Sequence, residues 1–169
     1  MIPAPQDVAR ALCRMKRRRT GRTLLLAAIL VALLAALLLA TCFRPMTHTG
    51  RAMLPTLAEG DMYFVNRLDR MPEHGQLVLL NRTAPEGGAM LRRVIGLGGD
   101  EVSITLDGTL CLNGEALLTI PAGSRDMPEA LLLPEGYLFV LGDNTAEALD
   151  SRVAAVGLIA VDEVLGTVW

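Results

Sequence analysis

Few side chains in this sequence could carry acid–base or nucleophilic chemistry. The chain of 169 residues has one lysine, Lys16, and two histidines, His48 and His74. A hydroxyl attacks a carbonyl only when a nearby base accepts its proton, and burial must make a lysine neutral before it can be that base. Arginine cannot take this role, because its guanidinium keeps its proton in proteins. Since Lys16 precedes a long apolar stretch, a serine–lysine pair is impossible beyond that stretch.

The two histidines are not expected to be bases. His48 lies just beyond the apolar stretch, and His74 lies in the turn MPEHGQ. Both are interpreted as surface side chains rather than as relocated bases.

The segment beyond residue 43 consists of strand-length apolar runs separated by turn residues, without long helical periodicity. Asp107-Gly108 predicts a two-residue hairpin turn, since both central positions must tolerate positive φ, and Asn113-Gly114 is a second candidate. Segment 115–135 is interpreted as a loop or small subdomain. The predicted fold class is mainly β, a folded-over sheet or partial barrel. Its strands are predicted at 61–67, 75–82, 89–97, 100–106, 109–114, 136–142 and 163–169.

An uncharged stretch of 21 residues, 23–43, precedes the strands. At about 1.5 Å per residue, such a helix reaches roughly 30 Å, the hydrocarbon thickness of a bilayer. Seven basic residues and one acid precede it, whereas nine arginines and seventeen acids follow it. The positive-inside rule then predicts a single-pass plasma-membrane protein. Its predicted parts are a basic cytoplasmic tail (1–22), a transmembrane helix (23–43) and an extracytoplasmic β domain (44–169).

Other interpretations of the N-terminal region are less favoured. The basic run KRRRTGR is typical of nucleic-acid binding, but a basic cluster beside an apolar span already explains it, so no nucleic-acid partner is expected. A cleaved signal peptide has a shorter apolar region of about 7–15 residues, and no convincing small-x-small site ends this stretch. LATC (39–42) is a poor lipoprotein motif, because Thr41 stands just before Cys42.

Four stretches, in order, resemble the sequence boxes of type I signal peptidases, the membrane-anchored serine proteases that remove signal peptides from exported proteins. GRAMLPTLAEGD (50–61) is similar to G-x-S-M-x-P-T-L-x-x-G-D, and LRRVIGLGGDEV (91–102) to K-R-x-x-G-x-P-G-D. LPEGYLFVLGDN (133–144) with LDSR (149–152) is similar to G-D-N-x-x-x-S-x-D-S-R. VGLIAVDEVLG (156–166) resembles the closing segment of the family.

The resemblance implies a serine nucleophile activated by a neutral lysine, with the substrate peptide laid as an extra strand beside the site. Ala52 stands at the serine position, Arg92 at the lysine position, and Ala148 at the position of a serine that supports the lysine. A methyl group cannot attack a carbonyl, and arginine cannot act as the base. Because such residues act as one unit, the loss of one frees the others to change. We interpret the three changes as natural degeneration rather than an engineered knock-out.

The other box positions retain the scaffold that the resemblance implies. Thr56 matches the threonine that is a turn residue in the family pattern, and Thr49 matches no catalytic position. Met53, Pro55 and Arg92 are predicted to bind the peptide, with Arg92 partly filling the groove. An ion pair between Asp150 and Arg152 is expected beside the site. The predicted structural residues near the site are Asp143, Asn144, Asp150, Ser151 and Arg152.

The predicted function is that of a signal peptidase homologue without proteolytic activity. It would bind signal peptides of exported proteins, or partner an active signal peptidase or the export machinery, at the membrane. The alternative is an active signal peptidase whose catalytic residues the sequence does not reveal. A third interpretation is a membrane-tethered structural subunit without affinity for peptides. No cofactor and no metal are expected.

Overall fold

The structure is a computed structural model that describes residues 5–84, 87–121 and 130–168. Its residues divide into two compact units, 1–41 and 42–169. The first contains helix α1 (Pro5–Cys42) up to Thr41, and the segment Gly21–Cys42 of this helix is long and apolar enough to cross a membrane. The helix ends one residue before the predicted limit of the span, because Phe43 already begins a strand.

The second unit is built from antiparallel strands, so the prediction of a mainly β fold after one apolar helix is confirmed. Each of the seven predicted strands is present, and a 3₁₀ turn (Val161–Glu163) leads into the last strand. The strands are β1 (Phe43–Thr47), β2 (Met62–Asn66), β3 (Leu77–Thr83), β4 (Ala89–Gly96), β5 (Glu101–Ile104), β6 (Thr109–Leu112), β7 (Glu115–Thr119), β8 (Ala130–Leu132), β9 (Tyr137–Leu141), β10 (Ile159–Ala160) and β11 (Val164–Val168).

The described strands form two sheets. The larger has the order β1-β2-β11-β3-β4-β9-β10, and the smaller has the order β7-β6-β5-β8. Segment 115–135, interpreted as a loop or small subdomain, is not a loop at β7 and β8. These two strands form the edges of the small sheet, which is consistent with the second alternative. Its residues 122–129 lie outside the described residues. Most of β7 is exposed, so it lacks the buried alternation by which strands are recognised in a sequence.

The two hairpin turns differ in geometry. Asn113 and Gly114 both have positive φ, 52° and 83°, and they join paired residues Leu112 and Glu115, which makes the predicted two-residue turn. At the Asp107-Gly108 hairpin, Gly108 has a φ of 88°, whereas the φ of Asp107 is not positive. The Gly108 N–H instead donates to the Thr105 carbonyl at 3.0 Å. The two-residue prediction there is wrong, because the turn closes one residue earlier and only the glycine enters the left-handed region.

Alternation along β3 and β4 divides the core of the large sheet between its two faces. Val78 and Leu80 join Val94 in one apolar cluster, whereas Leu79 and Leu91 join another. The second cluster also holds Met53, from the loop between β1 and β2. A third cluster, which includes Val102, Leu110 and Phe139, packs β5 and β6 against β9. The core therefore anchors the loop that contains Ala52.

Candidate functional site

The loop that carries the first sequence box runs from β1 to β2 and is closed at its base by backbone hydrogen bonds. The His48 N–H donates to the Asp61 carbonyl at 2.8 Å, and the Gly60 N–H donates to the His48 carbonyl at 2.9 Å. Met53 is fully buried, and its carbonyl accepts from the Leu57 N–H at 2.9 Å. Ala52, next to Met53, is 4% exposed. The nucleophile position of the box is therefore fixed by packing on one side and by a tight turn on the other.

A second turn, directly after β9, holds the Ala52 backbone. The Asn144 N–H donates to the Ala52 carbonyl at 2.9 Å, and Asn144 Nδ2 donates to the Arg51 carbonyl at 3.1 Å. A Cβ on Gly142 would lie 2.7 Å from the Ala52 carbonyl oxygen and would collide with the Ala148 methyl. Gly142 is required because these two chain segments approach each other across it.

Arg92, at the lysine position of the resemblance, reaches the segment that follows β9. Its side chain is 1% exposed on β4. Nε and Nη2 donate to the Leu149 carbonyl at 3.0 and 2.7 Å, and Nη1 donates to the Leu91 carbonyl at 2.7 Å. Leu149 follows Ala148, whose methyl lies against Gly142. The structure thus brings Ala52, Ala148 and Arg92 around one turn.

The buried guanidinium of Arg92 is compensated by carbonyl oxygens. A charge removed from water is costly unless hydrogen bonds replace its hydration. Three of its N–H groups point at backbone carbonyls, which carry partial negative charge. The Leu149 acceptor was missed by sequence reasoning, because any residue has a carbonyl and no side-chain type indicates which one an arginine will reach.

The neighbouring Arg93 binds a carboxylate, whereas Arg92 binds backbone carbonyls. Nε and Nη2 bind both oxygens of Asp143 at 2.7 and 2.5 Å, and Nη1 donates to the Gly75 carbonyl at 2.7 Å. The hydrogen bond to Asp143 raises the pKa of Arg93, against the smaller opposing effect of burial. Nη2 also lies 3.4 Å from Thr56 Oγ1, which places that threonine beside the ion pair. Arg93 therefore ties the loop of the first box to the turn after β9.

The predicted ion pair between Asp150 and Arg152 is present and buried. Arg152 Nε and Nη2 donate to the two carboxylate oxygens at 2.8 and 2.9 Å. Asp150 also accepts from the Gly142 N–H at 3.1 Å, and Ser151 Oγ accepts from the Val140 N–H at 3.0 Å. These contacts hold the turn after β9, and the Ser151 hydroxyl faces a backbone amide.

The remaining candidate residues are the two histidines, Thr49, Met53 and Pro55. The interpretation of His48 as a surface side chain is wrong: it is 4% exposed, since pairing of its backbone with residues 60 and 61 turns the side chain inward. His74 is exposed as predicted, and its Nε2 lies 2.6 Å from Asp100 Oδ2. The Thr49 side chain lies near Gly88. Pro55 and Met53 are both predicted from the sequence to bind the peptide. Pro55 is exposed on the loop, whereas Met53 is in the core.

With this geometry in place, comparison with known proteins defines the family. The family model described as "Signal peptidase, peptidase S26" matches residues 21–169. Signal peptidase I T of Bacillus subtilis is 34% identical over 157 residues, which cover 83% of this chain and 79% of that protein. Signal peptidase I of Bacillus licheniformis is also 34% identical, over 83% of this chain and 82% of its own length.

This chain therefore belongs to the signal peptidase family, peptidase S26. A solved structure of a signal peptidase I from Enterococcus faecalis matches with a TM-score of 0.44 at 26% identity. That match covers 57% of this chain and 95% of the other.

Proposed function

We propose that this chain is a membrane-anchored member of the signal peptidase family without proteolytic activity. α1 anchors it as a single span with the basic tail in the cytoplasm, and the β domain, outside the cytoplasm, binds signal peptides of exported proteins. The division into tail (1–22), span (23–43) and outer domain (44–169) belongs to this proposal. The observation that supports it best is the buried Arg92, which fills the position of the base while it holds Leu149.

The chemistry of the three positions supports the loss of activity. Ala52 offers a methyl where the first box has a hydroxyl, and Arg92 cannot accept a proton at any physiological pH. Arg92 is also committed to backbone carbonyls, so its donors are engaged in holding the domain together. A positive charge held this way stabilises structure and does not transfer protons.

Peptide binding does not depend on those positions. β1 is an edge strand of the large sheet, and among the described residues its other side pairs with no strand. An extended peptide can add to such an edge through main-chain hydrogen bonds. Because β1 leads directly into the loop of the first box, a peptide added there runs toward Ala52.

The first test is a reactivation series on the full chain in detergent, with a preprotein that has a small-x-small cleavage site. The unaltered chain is expected to leave the preprotein intact. The same result is expected for Ala52→Ser alone and for Arg92→Lys alone, because neither a nucleophile without its base nor a base without its nucleophile restores much activity. Ala52→Ser with Arg92→Lys is expected to cleave it, and addition of Ala148→Ser to increase the rate. Cleavage by the unaltered chain would instead support the active-enzyme alternative.

Peptide binding is tested with a photoreactive signal peptide. Adducts are expected on residues 43–61, and a matched peptide with N-methylated backbone beside the cleavage site should lose them, because it cannot donate to the β1 edge. Equal labelling by both peptides would rule out strand addition. No adduct with either peptide would favour the third interpretation, a structural subunit without peptide affinity.

A further inference from the structure

The backbone of Ala52 offers a hydrogen-bond donor in the loop of the first box. Its carbonyl accepts from the Asn144 N–H, whereas within the described residues no oxygen accepts from the Ala52 N–H. The side chain beside this donor is a methyl, which is smaller than the hydroxyl-bearing side chain of the first box by one oxygen. Because the preceding residue, Arg51, is exposed, the donor lies directly beneath the surface. An oxygen of a ligand that reaches Ala52 therefore finds a donor and no competing oxygen of residue 52.

The charged side chains around this donor carry an excess of positive charge. The contacts of the described residues bring four arginines and three acids to the loop of the first box and to the turn after β9. Three of the arginines form ion pairs with the acids, and Arg92 is held by carbonyl oxygens instead. Four positive charges therefore stand against three negative ones. The pairs are Arg51–Glu147, Arg93–Asp143 and Arg152–Asp150.

Burial makes the charge of Arg92 effective at this place. The guanidinium is 1% exposed, and it keeps its proton at any physiological pH. The carbonyls of Leu149 and Leu91 replace its hydration, but a carbonyl has no net charge to balance it. Charges interact more strongly where water is excluded. A donor N–H beside a buried positive charge is thus complementary to one carboxylate group.

The path of the bound peptide indicates which carboxylate reaches the site. This step rests on the proposed function, in which a signal peptide added to β1 runs toward Ala52. In an intact preprotein the group that arrives there is a neutral peptide bond. Hydrolysis of that bond adds one water molecule and leaves a carboxylate on the signal peptide and an amine on the exported protein. Only the cleaved signal peptide therefore ends in a negative charge at this point.

We propose that this chain binds the released signal peptide in preference to the intact preprotein. The new terminal carboxylate accepts from the Ala52 N–H and balances the charge of Arg92. The reaction that supplies this ligand is peptide-bond hydrolysis by an active peptidase, so the chain acts after cleavage. Arginine at the position of the base thereby has a binding role that a neutral lysine could not fill.

The test compares three synthetic peptides that share one signal-peptide sequence and an N-terminal fluorophore. The first ends in a carboxylate at the residue before the cleavage site, the second ends there in a carboxamide, and the third continues into the exported protein. Fluorescence anisotropy with the unaltered full chain in detergent measures their affinities at neutral pH. The carboxylate peptide is expected to bind about 10-fold more tightly than the other two, as a charge-assisted hydrogen bond allows. The carboxamide is the matched control, because it has the same size and the same backbone donors along β1.

Two variants assign the preference to a residue. Arg92→Gln is expected to bind the carboxylate and the carboxamide peptides alike, because the buried charge is removed. Arg51→Gln removes an exposed charge next to Ala52 and should retain the preference. Since Arg92 also holds Leu149, its loss lowers stability. If Arg92→Gln does not fold, the comparison of the peptides on the unaltered chain decides the proposal.

Several results would overturn the carboxylate site. Equal affinities of the unaltered chain for all three peptides would contradict it, and the proposed binding of signal peptides would stand. No binding of any of the three would contradict that proposed function as well. A preference that persists in folded Arg92→Gln, or that disappears in Arg51→Gln, would show that the buried arginine does not select the ligand.

Discussion

Arg92 and Leu149 are joined by two hydrogen bonds, in which Nε and Nη2 of the arginine donate to one carbonyl oxygen at 3.0 and 2.7 Å. The third bond, from Nη1, reaches the Leu91 carbonyl on its own strand. The residue at the position of the base therefore connects β4 to the segment that follows β9. A lysine has one ammonium group on a shorter reach and cannot reproduce this fork.

Arg92→Lys is expected to lower the free energy of unfolding by about 1–3 kcal/mol, because hydrogen bonds from a charged group to the Leu149 carbonyl are lost. Urea unfolding of the full chain in detergent, followed by the fluorescence of Trp169, measures it. Arg70→Lys is the control, and a change within about 0.5 kcal/mol is expected at that exposed position. If the two variants unfold alike, Arg92 has no structural role.

Gly142→Ala is expected to destabilise the domain by about 1–3 kcal/mol through overpacking, because the added methyl meets Ala148 and the Ala52 carbonyl. Adding Ala148→Gly removes one of the two obstacles and should restore part of the stability. Full stability of Gly142→Ala alone, in the same unfolding assay, would show that the two segments do not meet at this turn.

Asn144→Ala is expected to loosen the loop of the first box, since its Nδ2 no longer donates to the Arg51 carbonyl. Hydrogen exchange followed by mass spectrometry should show faster exchange across residues 50–57, with a cost to stability of about 1 kcal/mol. Asn81→Ala, at an exposed position of β3, should leave that segment unchanged. Unaltered exchange in Asn144→Ala would mean that the side-chain bond to the Arg51 carbonyl does not hold the loop.

A pH-dependent contribution to stability is expected from Glu163. Its carboxylate accepts from Arg82 Nε and Nη2 at 2.6 and 2.7 Å, and these bonds lower the pKa of Glu163 below its ordinary value of 4.5, against burial. A depressed pKa stabilises the fold above the unfolded value, and the contribution is lost as pH falls through the folded value.

Glu163→Gln should therefore lower the unfolding free energy by about 1 kcal/mol near neutral pH. The difference from the unaltered chain should shrink as the pH falls below 4.5. Denaturation series at several pH values measure it. A difference that stays constant into acid would contradict the role of the ion pair.

The sequence predicted the parts of the fold that have a strong local signal. Runs such as the one in β9 are apolar over strand length and end at glycine, so they were located correctly. β1 was missed because FRPMT contains a proline and directly follows the apolar helix, where no turn separates the two. β8 and β10 have three and two residues, which is too short for any periodicity.

The candidate site could be predicted only as far as side-chain types allow. The sequence placed Ala52, Arg92 and Ala148 in one site through the resemblance, and it predicted the Asp150–Arg152 pair from their spacing. It did not predict the burial of His48, which depends on backbone pairing with residues 60 and 61. It also could not give the partners of Arg92, because backbone acceptors leave no mark in a sequence.

Mass spectrometry of the unaltered full chain during incubation with a preprotein tests the loss of proteolytic activity most directly. We expect an unmodified chain mass and intact preprotein at every time point, because Ala52 cannot attack a carbonyl and Arg92 cannot accept a proton. A covalent acyl adduct on the chain, together with cleavage of the preprotein, would contradict it.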